Sequence, residues 1–307
     1  MKKNQYTVVK EVAEDIVPMF NTAKELFLTT LKDKQMSSET IRGYDNDLKQ
    51  FHTFLRDGSN APVFVNCITT ESIELLVKQL RKNKLAAASV NRKINAISSF
   101  CNFAVKKRWF AFNPAADVDR VREKSKERAY LNVEEIQKIL AAITHTTIKY
   151  VVILMSNTGL RVSEATNLRL SDVDFDNKVL HVIGGKGNKD RDVPLNDALI
   201  EQLKTYKDKH RPTTNSLNFF ATSKTGGISQ QYVNRELKEA AKKAGIEKEV
   251  TSHVLRHSFA SQLVQTQTHV AVISKLLGHA DVRTTSIYMH ADQTDLQQAV
   301  NTIGFLK

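Results

Sequence analysis

The sequence predicts a mainly α-helical protein of two domains, the second of which also carries a small antiparallel sheet. The chain has 307 residues, more than one average domain requires. Apolar residues recur at helical spacing along most of it, and the spacing changes to that of strands around residues 179–195. Residues 119–128 are charged almost throughout, a composition typical of an exposed linker between domains.

Composition and charge narrow the function classes. Hydrophobic residues make up 41% of the chain and charged residues 25%, which suits a globular protein with a buried core. The 45 Lys and Arg residues exceed the 33 Asp and Glu residues and leave a net charge of +12. Such an excess favours a polyanionic partner, and nucleic acid before a membrane surface.

Neither a membrane segment nor an export signal is expected. No stretch approaches the roughly 18–20 consecutive apolar residues that a membrane helix needs. Residues 1–5 lead into a mixed polar segment rather than an apolar run. Cys67 and Cys101 lie among apolar neighbours and are expected to be reduced core residues, which favours a cytoplasmic protein.

The first half is predicted to be a helical domain at residues 21–116, after an extension or short leading helix at residues 1–20. Three helices are expected: one after Ser37, one from Thr69 and one over about residues 89–105. The first of them carries an apolar stripe at helical spacing, formed by Ile41, Tyr44, Leu48, Phe51 and Leu55. The linker is placed at residues 117–130.

The second half, residues 131–307, is predicted to open with a helix capped by Asn132 and Glu135. A helix over about residues 150–157 comes next, and strands over 179–183 and 192–195 flank a glycine-rich basic turn. Further helices are expected from Ser229, from Ser252 and from His269, the last ending at Gly278. A final apolar stripe of Leu296, Ala299, Val300 and Ile303 packs either on its own domain or on another subunit.

Two of the blocks that could carry chemistry precede residue 195. Arg161 stands at a helix–break–helix junction, and residues 184–191 form a hairpin tip rich in glycine and cations. Taken alone, each also suits a structural role, as a capping arginine and as a solvated turn.

Two more blocks follow near the end of the chain. His253, Arg256 and His257 share one helix face, where three groups that could all be cationic repel one another unless an anion lies between them. His279 directly follows Gly278, and Tyr288 comes nine residues later. Taken alone, these blocks suit a packed helix face and a core tyrosine equally well.

In this order the four blocks resemble the signature of the tyrosine recombinases, and their layout is most similar to that of the Xer-like simple site-specific recombinases. The matching segments are Thr-Gly-Leu-Arg-Val-Ser-Glu at 158–164, Gly-Lys-Gly-Asn-Lys-Asp-Arg-Asp-Val-Pro-Leu at 185–195, His-Val-Leu-Arg-His-Ser-Phe-Ala at 253–260 and Leu-Leu-Gly-His-Ala-Asp-Val-Arg-Thr-Thr-Ser-Ile-Tyr-Met-His at 276–290. The resemblance covers the chain from Leu131 onward. In the first half it is looser, and rests on helix order and on Asn113-Pro114-Ala115.

The resemblance implies how the scissile phosphate is held and attacked. Arg161 and Arg256 clamp its non-bridging oxygens, a task that suits the planar geometry and permanent charge of guanidinium groups. His279 donates a further hydrogen bond to the same oxygens. Tyr288 is the nucleophile.

The remaining roles concern protons and orientation. By the same resemblance, His253 assists Tyr288 as a base or hydrogen-bond partner. Lys186 protonates the departing 5′-oxygen, with Lys189 as the other candidate. Glu164 and His257 orient the clamp.

Architecture and partners are implied in the same way. A SAM-like core-binding domain and the catalytic domain form a two-domain clamp on double-stranded DNA that carries a paired inverted-repeat site. The C-terminal helix docks in a neighbouring subunit, which gives a homotetramer on two DNA sites or a heterotetramer with a second recombinase, associated with the nucleoid when active. The candidate DNA contacts, chosen by their charge and position rather than by the resemblance, are Arg92, Lys93, Lys189 and Arg235.

The expected function is site-specific recombination through a 3′-phosphotyrosyl intermediate and a Holliday junction, resolving chromosome, plasmid or transposon cointegrate dimers. Because motifs for ATP and for metals are missing from the sequence, no cofactor and no metal are expected. An integrase or excisionase of a mobile element is the alternative within the class, although about 20 leading residues are too few for an arm-binding domain. A type IB topoisomerase shares the chemistry, but its sequence layout around the catalytic groups differs. A catalytically silent DNA-binding protein is disfavoured because all six catalytic positions carry competent residue types.

Overall fold

The computed structural model describes residues 17–59, 61–123, 129–184 and 190–278. The chain divides into two compact units, residues 1–125 and residues 126–307. Both are mainly helical, as predicted, and the second contains the small sheet. In the described part of the chain, no helix combines the length and the apolar character required to cross a membrane.

Within residues 17–59 and 61–123, the first unit shows four α-helices and one short 3₁₀ turn at Val65–Cys67. The helices are α1 (Phe20–Asp33), α2 (Ser38–Ser59), α3 (Thr70–Lys82) and α4 (Ala87–Lys106). The predicted helices correspond to α2, α3 and α4. Their apolar faces meet in one core whose largest fully buried side chains include Phe20, Phe51, Phe100, Ile73 and Ile97.

Helix α1 and the residues before it differ from the sequence prediction. Phe20 is completely buried, and its amide donates to the carbonyl of Val63 at 2.9 Å. The amide of Val65 in turn donates to the carbonyl of Pro18 at 3.0 Å. Residues 18–20 are therefore held in the first unit by backbone pairing with a distant segment, which local periodicity does not reveal.

The chain after α4 packs back on the first unit. The Asn91 side chain accepts from the amide of Val121 and donates to the carbonyl of the same residue, both at 2.9 Å. Val118 is buried in the core of this unit. The predicted linker at 117–130 thus begins with residues that lie against the first unit, and the domain boundaries stay predictions.

In its described part, the second unit contains seven α-helices, a 3₁₀ turn at Leu170–Asp172, a π-helical turn at Tyr206–His210 and three strands. The helices are α5 (Val133–Ala142), α6 (Thr146–Thr158), α7 (Val162–Asn167), α8 (Asp197–Thr205), α9 (Gln230–Lys243), α10 (Ser252–Gln265) and α11 (Val270–Leu277). The strands are β1 (Val173–Asp174), β2 (Val179–Val182) and β3 (Arg191–Pro194), in the antiparallel order β1-β2-β3. In the β2–β3 pair, Val182 lies opposite Arg191 and Val179 opposite Pro194.

Helix α6 forms the centre of this unit. Ile148, Val151, Val152, Leu154 and Met155 are all buried, so the helix is covered on several sides. Helix α10 packs along it, and α5, α7 and α8 pack around it. This packing brings the Arg256 region of α10 to the end of α6, where Arg161 follows.

The predicted cap of α5 is confirmed. Asn132 Oδ1 accepts from the amide of Glu135 at 2.8 Å, and a carboxylate oxygen of Glu135 accepts from the amide of Asn132 at 2.9 Å. The predicted strands and the helices α6, α9, α10 and α11 are also confirmed. Helix α8 and strand β1 were not predicted.

Candidate active site

The turn between α6 and α7 sets the position of Arg161. Helix α6 ends at Thr158, and Gly159 follows in the left-handed conformation with φ of 64°. A Cβ atom at Gly159 would lie 2.4 Å from Phe259 Cδ1 and 2.8 Å from Leu277 Cδ2. Only glycine satisfies both the backbone angle and this close approach of α10 and α11. The helix–break–helix junction predicted from the sequence is therefore confirmed.

Glu164 holds Arg161 in place. Its carboxylate accepts from the amide of Arg161 and from Arg161 Nη1, each at 2.8 Å. The same carboxylate accepts from Arg191 Nη1 at 2.9 Å and from Arg191 Nη2 at 2.8 Å. Burial of Glu164 raises its pKa, but the bonds and charges of Arg191 and Arg161 outweigh this effect and hold the pKa at about 2. The carboxylate is thus ionised at neutral pH and fixes two guanidinium groups.

Arg256 ties α10 to the same turn. Its Nη1 donates to the carbonyl of Gly159 at 2.7 Å, and its Nη2 donates to the carbonyl of Leu277 at 2.6 Å. The residue is only 6% exposed. The structure therefore joins Arg256 to the backbone two residues before Arg161, although the two residues come from distant parts of the sequence.

The two histidines of α10 lie in its first turns. His253 is exposed, whereas His257, next to Arg256, is half-buried. Helix α10 is fixed at this end because Asn234 of α9 accepts from the amide of Ser252 at 2.8 Å. His253 and Arg256 are thus held on one rigid helix, with His253 open to a ligand.

Four predicted site residues lie outside the described residues: Lys186, Lys189, His279 and Tyr288. The described chain comes close to them in sequence. Gly184 N donates to Asp190 Oδ1 at 2.8 Å, and these two residues flank in sequence the segment that contains both lysines. Gly278 ends α11 in the left-handed conformation, directly before His279. The predicted C-terminal helix also lies outside the described part.

Arg191 is a residue of this site to which the sequence prediction gave no role. It opens β3, its side chain is 9% exposed, and it binds Glu164 with two nitrogens. Arg161 and Arg191 thus share one carboxylate, and Arg256 binds the backbone at Gly159, two residues before Arg161. Because arginine remains charged at any working pH, this arrangement favours an anion such as a phosphate.

The candidate DNA contacts on α4 differ in accessibility. Lys93 is 6% exposed, and its Nζ donates to Asp47 Oδ1 at 3.0 Å and to Gln50 Oε1 at 2.6 Å. Arg92 pairs with the other oxygen of Asp47 but leaves about half of its side chain exposed, 56%. Burial of Lys93 argues against a direct phosphate contact and leaves Arg92 as the candidate on this helix.

The candidate contact on α9 is accessible. Arg235 is exposed, and its guanidinium carbon lies 4.8 Å from the ring centre of Tyr232. Lys238 and Lys242 are exposed further along the same helix. Helix α9 therefore presents cations to solvent. In the described part of the chain, no group of three His, Cys, Asp or Glu side chains could hold a metal ion.

Comparison with known proteins identifies the family. Residues 129–295 match the phage integrase family, and residues 25–108 match the N-terminal SAM-like domain of phage integrases. The chain is 33% identical over 280 residues to a protein named tyrosine recombinase XerD from Staphylococcus saprophyticus, across 88% of this chain and 93% of the relative.

Two solved structures are similar in fold. One is the Tn1549 transposon integrase in complex with a circular intermediate DNA, with a TM-score of 0.74 and 15% identity over 91% of this chain and 98% of the other. The second is a lambda integrase tetramer bound to a Holliday junction, with a TM-score of 0.73 and 22% identity over 89% and 78% of the two chains.

The matched region, residues 129–295, contains all six predicted catalytic residues. The chain therefore belongs to the phage integrase family, with an N-terminal SAM-like domain ahead of the catalytic one. It is a site-specific tyrosine recombinase.

Proposed function

We propose that the protein cuts and rejoins DNA by attack of Tyr288 on the scissile phosphate. A bond forms between the tyrosine oxygen and phosphorus, the bond to the 5′-oxygen breaks, and a 3′-phosphotyrosyl intermediate with a free 5′-hydroxyl results. The observation that carries this proposal is the arginine cluster, in which Arg161 and Arg256 converge on the Gly159 turn and Glu164 fixes Arg161.

The two arginines stabilise the charge of the transition state. Pentacoordinate phosphorus carries more negative charge on its non-bridging oxygens than the starting diester, so fixed guanidinium donors lower the barrier. Loss of one such donor typically costs roughly 3–4 kcal/mol. His279 donates to the same oxygens. Arg161 and Arg256 are both anchored, which means that little reorganisation is required when the charge develops.

Two protons move in the cleavage step. His253, exposed at the start of α10, takes or shares the proton of the Tyr288 hydroxyl, a role suited to a group that titrates near neutrality. Lys186 delivers a proton to the departing 5′-oxygen. Glu164 and His257 orient the arginines and do not touch the phosphate.

Rejoining reverses the same chemistry. The phosphotyrosyl bond stores the energy of the broken diester, so a 5′-hydroxyl from the partner duplex restores the DNA without a ligase. The reaction therefore needs neither ATP nor a metal ion, as in type IB topoisomerases. Two rounds of exchange pass through a Holliday junction.

The assembly that performs this exchange is proposed to be a homotetramer on two DNA sites, each with inverted repeats, or a heterotetramer with a second recombinase. The lambda integrase tetramer on a Holliday junction, similar in fold, supports this arrangement. Arg92, Lys189 and Arg235 contact DNA, mostly at phosphates. The C-terminal helix docks in the neighbouring subunit.

The biological role we favour is resolution of chromosome, plasmid or transposon cointegrate dimers on the nucleoid. The 33% identity to a protein named XerD, over 88% of the chain, supports this role over that of an integrase or excisionase. The integrase structures above share the fold at lower identity and do not separate the two roles.

The nucleophile can be tested with DNA from the flanks of the gene, nicked so that cleavage becomes irreversible. Wild-type protein should form an SDS-resistant complex on the 3′ side of the break, in the presence of EDTA and without ATP. Tyr288→Phe should form none. Tyr130→Phe, which alters an exposed tyrosine of the same unit, serves as the matched control and should behave as wild type. An equal adduct from Tyr288→Phe would exclude it as the nucleophile.

A further inference from the structure

Arg191 makes contacts that join separate parts of the candidate active site. Its Nη1 and Nη2 bind both oxygens of Glu164, and its Nε donates to the carbonyl of Leu276 at 2.9 Å. The sequence separations are 27 residues to Glu164 and 85 residues to Leu276. One planar guanidinium therefore links β3, α7 and the end of α11.

The end of α11 is held by two arginines at successive carbonyls. Arg191 binds that of Leu276, and Arg256 binds that of Leu277. At the next residue, Gly278, a Cβ atom would lie 2.8 Å from Arg191 Cδ and 3.0 Å from Arg191 Nη1. The chain thus passes directly over the Arg191 side chain just before it reaches position 279.

Arg191 also controls how well Glu164 can hold Arg161. Glu164 is 6% exposed at its side chain, and a buried carboxylate needs a close cationic partner to stay ionised. Arg191 supplies two charge-assisted hydrogen bonds in fork geometry, the strongest arrangement for a carboxylate. Without Arg191, Glu164 can turn towards solvent or take up a proton, and its hydrogen bonds to Arg161 become weaker.

From these contacts we infer that Arg191 is a positioning residue for DNA cleavage. Arg191 fixes Glu164, and through it Arg161, relative to the end of α11. The distance and orientation between Arg161 and the turn at Gly278 are thereby kept constant. This inference rests on the proposed cleavage by Tyr288. The role assigned to Arg191 is to hold Glu164 and the end of α11, because its Nε, Nη1 and Nη2 each donate to one of these two groups.

The experiment compares the cleavage rate and the DNA affinity of wild type, Arg191→Gln and Arg191→Lys on the nicked substrate. We expect Arg191→Gln to slow cleavage roughly 10- to 100-fold. Metalloenzymes lose activity by this factor when they lose a group that orients a metal ligand, and Arg191 orients Glu164 in a comparable way. DNA affinity should change little. Arg191→Lys should recover part of the rate, because one ammonium keeps the charge but cannot bind both Glu164 oxygens and Leu276 together.

A second substrate separates positioning from a loss of folding. Replacing a non-bridging oxygen of the scissile phosphate by a methyl group gives a neutral methylphosphonate, which depends less on the Arg161 charge. The defect of Arg191→Gln should shrink several-fold on this substrate. A defect that only reflects misfolded protein would be the same on both.

Arg211→Gln is the matched control. Arg211 lies in the same unit, is half-buried, and donates to the carbonyls of Ser216, Asn218 and Phe219 rather than to site residues. Arg211→Gln should lower the unfolding free energy, but the ratio of its cleavage rates on the phosphate and methylphosphonate substrates should equal that of wild type.

The two proposals fail in different ways. A wild-type protein that cleaves neither substrate would overturn the proposed function. The role of Arg191 would be overturned in two cases, provided that wild type cleaves normally. In the first, Arg191→Gln cleaves as fast as wild type. In the second, Arg191→Gln is slowed by the same factor on the phosphate and on the methylphosphonate. If Arg191→Gln does not fold, the same test is made with Arg191→Lys, by comparing its loss of cleavage rate on the two substrates.

Discussion

Glu164 and Arg191 form a two-pronged ion pair in which both carboxylate oxygens bind the guanidinium, at 2.9 and 2.8 Å. Their side chains are 6% and 9% exposed. The pair lies 27 residues apart in sequence and joins the first turn of α7 to the start of β3. The second unit thus places a carboxylate that accepts four hydrogen bonds beside Arg161, the arginine proposed to bind the scissile phosphate.

The Glu164 pKa predicts an acid-dependent part of the stability. A pKa of about 2 instead of the ordinary 4.5 means that the folded state binds fewer protons than the unfolded state between these values. The contribution, about 3 kcal/mol, is therefore complete above pH 4.5 and is lost as the pH falls towards 2. Urea unfolding of wild type and Glu164→Gln at several pH values should show a difference that is largest at pH 7 and shrinks in acid. A difference independent of pH would contradict this assignment.

Gly159 is predicted to tolerate no side chain. In Gly159→Ala, the new Cβ would meet Phe259 at 2.4 Å and Leu277 at 2.8 Å, and the backbone would keep φ of 64°. We expect a loss of about 2–5 kcal/mol in unfolding free energy, from overpacking and from the left-handed backbone together. Cleavage should slow as well, because Arg256 binds the Gly159 carbonyl.

Gly245→Ala is the control for backbone strain alone. Gly245 has φ of 69°, but a Cβ there would have no neighbour within 4 Å. It should cost only about 1–2 kcal/mol and leave cleavage unchanged. If the two variants lose the same stability, the close approach at Gly159 has no energetic effect.

How far the sequence predicts this structure depends on the range of the interactions. The cap of α5 by Asn132 and Glu135, the β2–β3 hairpin and the shared face of His253 and Arg256 all follow from residues a few positions apart. Such local patterns were predicted correctly. The order of four such blocks was also sufficient to indicate the family.

Long-range contacts were missed. Helix α1 depends on Phe20 and on its backbone pairing with Val63, and no side chain caps its first turn. The link from Arg191 to Leu276 spans 85 residues, and no spacing rule connects two such positions. Lys93 was chosen for its charge, whereas its burial is set by Asp47 on another helix, 46 residues away.

Arg256 is predicted to have no functional substitute. Its two bonds, to the carbonyls of Gly159 and Leu277, diverge from one planar group, and a lysine ammonium cannot span both acceptors. In Arg256→Lys we expect a hundred- to thousandfold slower cleavage, roughly 3–4 kcal/mol. Single-turnover cleavage of nicked DNA measures this loss. Retention of more than a tenth of the wild-type rate would show that charge alone is sufficient at this position.

Arg92 and Lys93 are neighbours in sequence but should respond differently to mutation. Arg92 is half-exposed, so Arg92→Ala should weaken DNA binding and reduce the slope of log affinity against log salt by up to about one. Lys93 is buried against Asp47 and Gln50, so Lys93→Met should instead lower the unfolding free energy, by about 3 kcal/mol. Its DNA affinity, measured on the folded protein at several salt concentrations, should keep the wild-type slope. A reduced slope for Lys93→Met with unchanged stability would reverse the two roles and return Lys93 to the DNA surface.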